Sequence, residues 1–352
     1  MAESRLQVRR CGPLVSYQDG GRFGMARFGV PASGPMDRLA HAAAHVALGR
    51  PPASTAIEIS MGGIELECES GAVTFCVAGG RFQVAHAGAV TKSWCVRTLR
   101  AGDVLAIRPG QWGSWAYLAF AGDLVCHQWA GHTATHSLSG LGGGPLANGA
   151  SITVRNTEIA EEREGDLPLP AAACLRTAAR VVLGPQTDCF EPDAITALQE
   201  EGFSITSAYD RMGMRLAGPA LPLRNVLSIP SEPIIRGSVQ VSGDGVASVL
   251  LADHQTTGGY PKIATVLSCD IDGLTQLRAG DRVTFQAVDA QEAIRLVRAH
   301  AHEKSLFLES IAQPRGNLDQ RLLRENLISG VLSADTDQAT PSTSPSQPQG
   351  NR

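Results

Sequence analysis

The chain lacks most of the short signatures that would announce a chemistry. It has 352 residues and eight cysteines, Cys11, Cys68, Cys76, Cys95, Cys126, Cys174, Cys189 and Cys269, and none of these forms a Cys-x-x-Cys pair. Neither a zinc site nor a disulfide framework is therefore expected, and scattered thiols read as small buried apolar residues. No apolar stretch reaches the ~18 residues needed to span a bilayer. The opening MAESRLQVRRCG carries charges with no apolar run behind them, so it is no signal peptide, and a cytoplasmic location is expected. Charge is sparse, at 18% of residues and a net −4. Without a basic stripe there is no electrostatic footprint for nucleic acid. The Gly-rich SGLGGGP (139–145) ends without the Lys-Ser/Thr of a P-loop and does not fit the dinucleotide spacing. There is no Gly-x-Ser-x-Gly elbow, which removes the usual serine hydrolase. His41 and His45 stand four apart in HAAAH, but no glutamate follows His41 and the metalloprotease pattern is missing. These two, and His132 and His136 in GHTATH, read as core or surface histidines, and no metal site is expected.

What is present is glycine, proline and short β-branched runs. With 38 glycines, 20 prolines and 43% hydrophobic residues, the chain reads as a globular, mainly β protein rich in turns. Its length suggests two or three domains. The acidic, then Pro/Ala-rich segment 158–179 reads as the linker between a first domain at 1–157 and a second at 180–288. An internal repeat supports the division: SWAYLAFAG (114–122) pairs with GVASVLLAD (245–253), and LANGASITV (146–154) with LRAGDRVTF (277–285), at one offset. Helices are few. PMDRLAHAAAHVAL (35–48) and EPDAITALQEEG (191–202) are two. A third lies in a helical segment at 289–330, with Asp289 as N-cap and Glu292 three residues later. The Ser/Thr/Pro/Gln-rich end, 331–352, reads as disordered.

Polar residues concentrate in a few connections. SYQDGGRFGMARFGVPASGPMD (16–37) puts Asp19, Gly20 and Gly21 in a turn, with Arg22 able to grip a carboxylate or phosphate. Ser33 and Gly34 lead into the first helix, whose amides favour an anion; the plain alternative is a loop capped by Ser33, with Arg22 paired to Asp19 or Asp37. SAYDRMGMRLAGPAL (207–221) holds Asp210 and Arg211 in a turn between strands, where a surface pair contributes little. Gln240 lies on the strand entering a Gly243-Asp244-Gly245 turn. The densest stretch is ADHQTTGGYPKIATV (252–266), between a strand at VASVLLA and a second at IATVLSCD. A hairpin needs two or three turn residues; this connection instead carries Asp253, Gln255, Thr256, Thr257, Gly258, Gly259, Tyr260 and Lys262. Neutral donors, open backbone and one cation suit a small anionic molecule, though an elaborate self-satisfying turn would use the same residues.

In order along the chain, QDGGRFG (18–24), GVPASGPMD (29–37), AIEI (56–59), GPQTD (184–188), YDRMGMRLAGPAL (209–221) and LLADHQTTGGYPKIATV (250–266) resemble the biotin-dependent carboxyltransferase-like family. That family is also described as allophanate hydrolase subunit 2 or KipI antagonist. The likeness runs from Leu6 to Val288. It implies two tandem cyclophilin-like β-barrel domains with a few helices. It also implies that the 252–266 loop belongs to an active-site surface. There are departures: Ala44-His45 and Gly49-Arg50 stand where Ala-Asn and Gly-Asn are usual, and Gly122-Asp123 stands for Gly-Gly. GHTAT (131–135) stands for Gly-Ser-Arg-Ser-Thr, so Thr133 replaces the arginine.

The resemblance implies three readings. The first is one component of an ATP-dependent 5-oxoprolinase-type complex that opens 5-oxo-L-proline to L-glutamate, with ATP held by the complex and with A-like and KipI/B-like partners. On it, Arg22, Arg211 and Lys262 bind the anion, Gln255, Thr256, Thr257 and Tyr260 position it, and Asp37 or Asp253 acts as base. The second passes a carboxyl group from carboxybiotin to urea or a related amide; the chain has no Met-Lys biotin attachment site. The third is a non-enzymatic antagonist of a KipI-like kinase inhibitor.

Overall fold

The computed structural model describes residues 2–174, 176–224 and 228–316. In the N-terminal half the strands are β1 (Glu3–Cys11), β2 (Ser16–Gln18), β3 (Ala56–Ile59), β4 (Ile64–Ser70), β5 (Ala72–Ala78), β6 (Gln83–His86), β7 (Ala89–Lys92), β8 (Cys95–Arg100), β9 (Val104–Arg108), β10 (Ala116–Phe120), β11 (Asp123–Val125), β12 (Ser151–Arg155) and β13 (Gly165–Asp166). They build one sheet in the order β11-β12-β1-β4-β9-β6-β7 and a second in the order β13-β8-β5-β10-β3-β2. The two share one core, where Leu6, Val8, Leu66 and Ile107 meet Phe75, Val77, Ile57 and Leu118. The segment 158–177 is not slack chain: it contributes β13, which pairs with β8 through Gly165↔Val96 and Asp166↔Cys95.

The following half is a closed barrel. Its strands, β14 (Ala178–Leu183), β15 (Gly202–Tyr209), β16 (Gly213–Ala217), β18 (Ser238–Val241), β19 (Ala247–Leu250), β21 (Lys262–Val266) and β22 (Arg282–Ala287), run β14-β21-β18-β19-β16-β15-β22 and close. Two short strands, β17 (Glu232–Pro233) and β20 (Thr257–Gly258), pair outside it. Val181, Phe203, Met214, Val239, Val249, Ile263 and Phe285 fill the interior. Closure leaves no free strand edge, which is how a small sheet avoids templating aggregation. The mainly β expectation holds, and both repeat pairs fall on strands: β10 and β19, then β12 and β22.

The described helices are α1 (Arg38–Val46), α2 (Pro192–Glu200), α3 (Ser268–Thr275) and α4 (Ala290–Ala312). α1 is capped by Asp37, whose side chain accepts from Ala40 N at 2.9 Å, so the cap is Asp37 and not Ser33. Asp289 caps α4 through Glu292 N, as its sequence implies. α3 replaces the expected strand end at 268–270. The expected disordered tail, and the helical segment beyond Gly316, lie outside the described residues. Among the described residues no helix is long and apolar enough to cross a membrane.

α1 packs His41 and His45 inside. Their rings sit 4.9 Å apart, and His41 Nε2 faces the Gln18 carbonyl at 3.3 Å. Burial pulls the His41 pKa from 6.5 down to about 4 and moves His45 the same way. A base with a depressed folded pKa gives stability that is fully present above 6.5 and lost as pH falls towards 4. Asp37, pushed up to about 6 by burial and by Asp272, acts in the opposite sense. The readout is therefore a difference. From pH 7 to pH 5 the wild type should lose about 2 kcal/mol more than His41→Gln in urea denaturation. Parallel pH curves for the two proteins would show that His41 titrates in the fold as it does in the unfolded chain.

Candidate functional site

The site is built where loops of the N-terminal half meet the barrel. Glu58, on β3, is the one carboxylate in the otherwise apolar strand AIEI, and it is fully buried. Its Oε2 accepts from Met36 N at 2.8 Å and from Tyr117 Oη, on β10, at 2.7 Å. Its Oε1 meets Arg211 Nη1. Arg211 comes from the β15–β16 turn, and Asp210 makes that turn: its Oδ1 accepts from Met212 N and Gly213 N at 2.7 and 3.2 Å. Asp210 stays exposed, while Arg211 is 1% exposed. The guanidinium grips Asp253 through Nε–Oδ2 at 2.9 Å and Nη2–Oδ1 at 3.0 Å, and Nη2 also donates to the Gly34 carbonyl at 2.8 Å. The expected surface pair is instead a buried ion triad joining two parts of the chain.

The electrostatics follow from burial. Desolvation alone would lower the Arg211 pKa, but Asp253 and Glu58 more than reverse it. Burial would raise Asp253, but Arg211, Ser137 N and Ser33 bring it down to about 2. A carboxylate that acidic is a weak proton acceptor at neutral pH. Asp37 is held on both oxygens, by Ala40 N and by Gln276 Nε2 at 2.7 Å. Gln276 also spans to Ser114 N and Trp115 N through its Oε1.

Beside the triad lies Arg22, 0% exposed. It pairs with neither Asp19 nor Asp37. Nη1 donates to the Pro31 carbonyl at 3.4 Å and to Ser33 Oγ at 3.3 Å, Nη2 donates to the Ala134 carbonyl, and Nε has no partner. Burial lowers its pKa while Asp19 and Asp253 raise it. Ser33 touches both Arg22 and Asp253 and sits at φ 52°. Gly34, at φ 80°, lets the two loop strands close: a Cβ there would come within 3.0 Å of Gly21 Cα. Asp19 Oδ1 accepts from Gly21 N at 2.9 Å and Oδ2 from Thr133 N at 2.7 Å.

The 252–262 crossover forms a second group. Thr257 and Gly258 make β20 and pair with Pro233 and Glu232. Thr256 and Gly259 accept on their carbonyls from Ile234 N at 3.1 Å and Ile229 N at 2.7 Å. Gln255 reaches Gln240 Oε1 at 3.5 Å, and the buried Gln240 Nε2 has no partner. Lys262 donates to Glu232 Oε2 at 3.2 Å. Tyr260 is 48% exposed. The crossover thus pairs its backbone largely with residues 229–234, while Gln240, Gln255, Lys262 and Tyr260 remain as side-chain functions. Asp19, Arg22, Ser33, Gly34, Arg211 and Asp253 come together in the first group. Gln240, Gln255–Tyr260 and Lys262 form the second, with Asp253 in the turn between β19 and the crossover. Asp210 belongs to neither. Sequence reasoning misses Glu58, Tyr117, Ser137 and Gln276; for Glu58 a lone charge in an apolar strand is the available signal. Among the described residues no cluster of His, Cys, Asp and Glu could hold a metal ion. A cavity of about 340 Å³ lined by His86, Arg97, Arg100 and Glu164 shares no residue with either group.

Two bodies of β-sheet clamped together by buried ions beneath a polar crossover define a carboxyltransferase-type protein. The family model described as carboxyltransferase domain, subdomain A and B, matches residues 28–287, and the chain belongs to that family. Within it the chain is similar to the 5-oxoprolinase C subunit of Haemophilus influenzae, 33% identical over 300 residues that cover 84% of this chain and 94% of that one. It is 28% identical to the 5-oxoprolinase C subunit of Escherichia coli, covering 82% and 93%. Among solved structures, TTHA0988 superposes with a TM-score of 0.72 at 30% identity, over 80% of this chain and 55% of that one. The Kluyveromyces lactis urea carboxylase shares the fold at a TM-score of 0.77 and 23% identity, over 87% of this chain and 29% of that one.

Proposed function

We propose that the chain is the C-type component of an ATP-dependent 5-oxoprolinase-type complex that converts 5-oxo-L-proline to L-glutamate with A-like and KipI/B-like partners. The likeness to two 5-oxoprolinase C subunits along nearly their whole length carries this reading. The geometry supports it through Arg22, a buried cation with no bonded carboxylate next to a polar crossover. A lactam resists hydrolysis because its amide is resonance-stabilised. Opening it develops negative charge on the amide oxygen, and fixed cations and donors stabilise that charge. In this reading Arg22 and Lys262 meet the anionic groups, Gln240, Gln255 and Tyr260 orient the ring, and the Glu58–Arg211–Asp253 triad holds the two halves in register. Asp37 and Asp253, committed to a cap and to Arg211, serve as scaffold rather than as base.

ATP is assigned to the complex. The Gly-rich 139–145 loop does not fit a phosphate cradle: a Cβ on Gly142 would lie 2.2 Å from the Ala134 carbonyl oxygen, so its glycine serves close packing. Phe23 and Phe28, 75% and 64% exposed on the Arg22 loop, are consistent with a face that a partner covers. The urea carboxylase likeness keeps a second reading: carboxybiotin, carried by a partner, as substrate. The test is turnover of ATP with 5-oxo-L-proline or urea by the chain co-purified with its partners. Turnover with 5-oxo-L-proline and none with urea is expected; urea-dependent turnover that avidin blocks would reverse the assignment. In the same assay Lys262→Ala should lower kcat/KM roughly 10–100-fold, the worth of a charged hydrogen bond. Wild-type turnover in that variant would take the crossover out of the reaction.

A further inference from the structure

The hairpin 129–132 leads into GHTAT and has no role in the site as built above. Trp129 and His132 exchange both backbone hydrogen bonds, at 2.9 and 3.0 Å, so Ala130 and Gly131 form a two-residue turn. Both are at positive φ, 50° and 79°, the geometry of a primed turn that alanine adopts only under constraint. The turn brings two side chains to the Arg22 region. The Trp129 ring lies 5.6 Å from Arg22 Cζ. His132 Nδ1 lies 3.5 Å from Asp19 Oδ2, with the imidazole 38% exposed. Asp19 is fixed by two backbone amides, so it holds the ring without moving. Meanwhile Arg22 is buried with Nε unpartnered and no carboxylate bonded to it. A guanidinium out of water without a bonded counter-charge is costly, and an arriving anion would remove that cost.

We propose that Arg22, Trp129 and His132 form a subsite for the carboxylate of a small cyclic amide acid, which deepens and rests on the 5-oxoprolinase-type reading. One ring nitrogen of His132 faces Asp19, and the other is left for the ligand. Trp129, whose ring lies under the Arg22 guanidinium, forms the apolar wall of the subsite. The Thr133 hydroxyl is spent on Thr55 Oγ1 at 2.9 Å. His132, one residue earlier, instead turns its half-exposed ring towards Asp19 beside Arg22.

The experiment is calorimetric titration of the full chain with 5-oxo-L-proline and with 2-pyrrolidinone, the same ring without the carboxylate. The acid should bind at least about tenfold tighter than the lactam. His132→Gln should weaken the acid about tenfold and leave the lactam unchanged, and His132→Arg should restore the acid. Equal affinity for the two ligands, no binding of the acid at millimolar concentration, or an unaltered His132→Gln each overturns the subsite. Full kcat/KM of His132→Gln in the complex overturns it too, and leaves the reaction standing. Binding as expected without ATP-coupled turnover sinks the reaction and leaves the subsite standing.

Discussion

Arg211→Met is expected to destabilise the protein by about 3–5 kcal/mol, the cost of leaving a buried charge without its partner. Two carboxylates lose their counter-ion at once. Glu58 is fully buried, and Asp253 is likewise at 0% exposure, with only the Ser137 amide and Ser33 left to it. The native state then has to take up protons or admit water, and either response lowers the urea midpoint. The single variant cannot separate the value of the triad from the penalty of breaking it. The triple variant Glu58→Gln/Arg211→Met/Asp253→Asn can. It keeps acceptors for Met36 N and Tyr117 Oη while removing all three charges, and it should recover at least half of the lost stability. A single-variant loss under about 1 kcal/mol, well below the range for a broken buried pair, would show that the triad is not a clamp. Arg211→Lys should fall between, because an ammonium cannot reproduce the bidentate grip on Asp253 together with the bonds to Glu58 and Gly34.

The barrel is easier to read from sequence than the site, for a physical reason. Strands such as SVQV and KIATV announce themselves through β-branched residues and glycine-bearing turns, which are local signals. α3 does not. SCDIDGLT begins after Leu267, which offers no side-chain cap, and carries Gly273 inside the helix. Its apolar, β-branched approach IATVL reads as strand, and tertiary packing overrides that. The same split runs through the site. The Asp210 turn and the polar crossover are local and legible. The burial of Arg211 depends on Glu58 and Asp253, 153 and 42 residues away. No spacing rule links those positions. Asp253 resembles a base because in the sequence it opens a polar connection; its partner, invisible in the sequence, makes it an anchor.

Arg22→Met should separate activity from stability in the opposite way to Arg211→Met. Arg22 has no bonded carboxylate, so its removal strands no buried anion. What it leaves are the carbonyls of Pro31 and Ala134 and the hydroxyl of Ser33. Carbonyls short of one donor are the milder form of unsatisfied group, and the deleted charge no longer has to be desolvated. The two effects oppose each other, so the urea midpoint should shift by no more than about 1–2 kcal/mol of stability. Turnover should not survive so well. If Arg22 stabilises charge that develops as the ring opens, its loss costs about 10²–10³ in kcat/KM of the assembled complex, as for removal of a fixed oxyanion donor. Residues kept for function rather than folding show this pattern: activity falls steeply while stability barely moves. The reverse result, a variant that unfolds but retains kcat per folded molecule, would make Arg22 a packing element and move the anion site to Lys262 and the crossover.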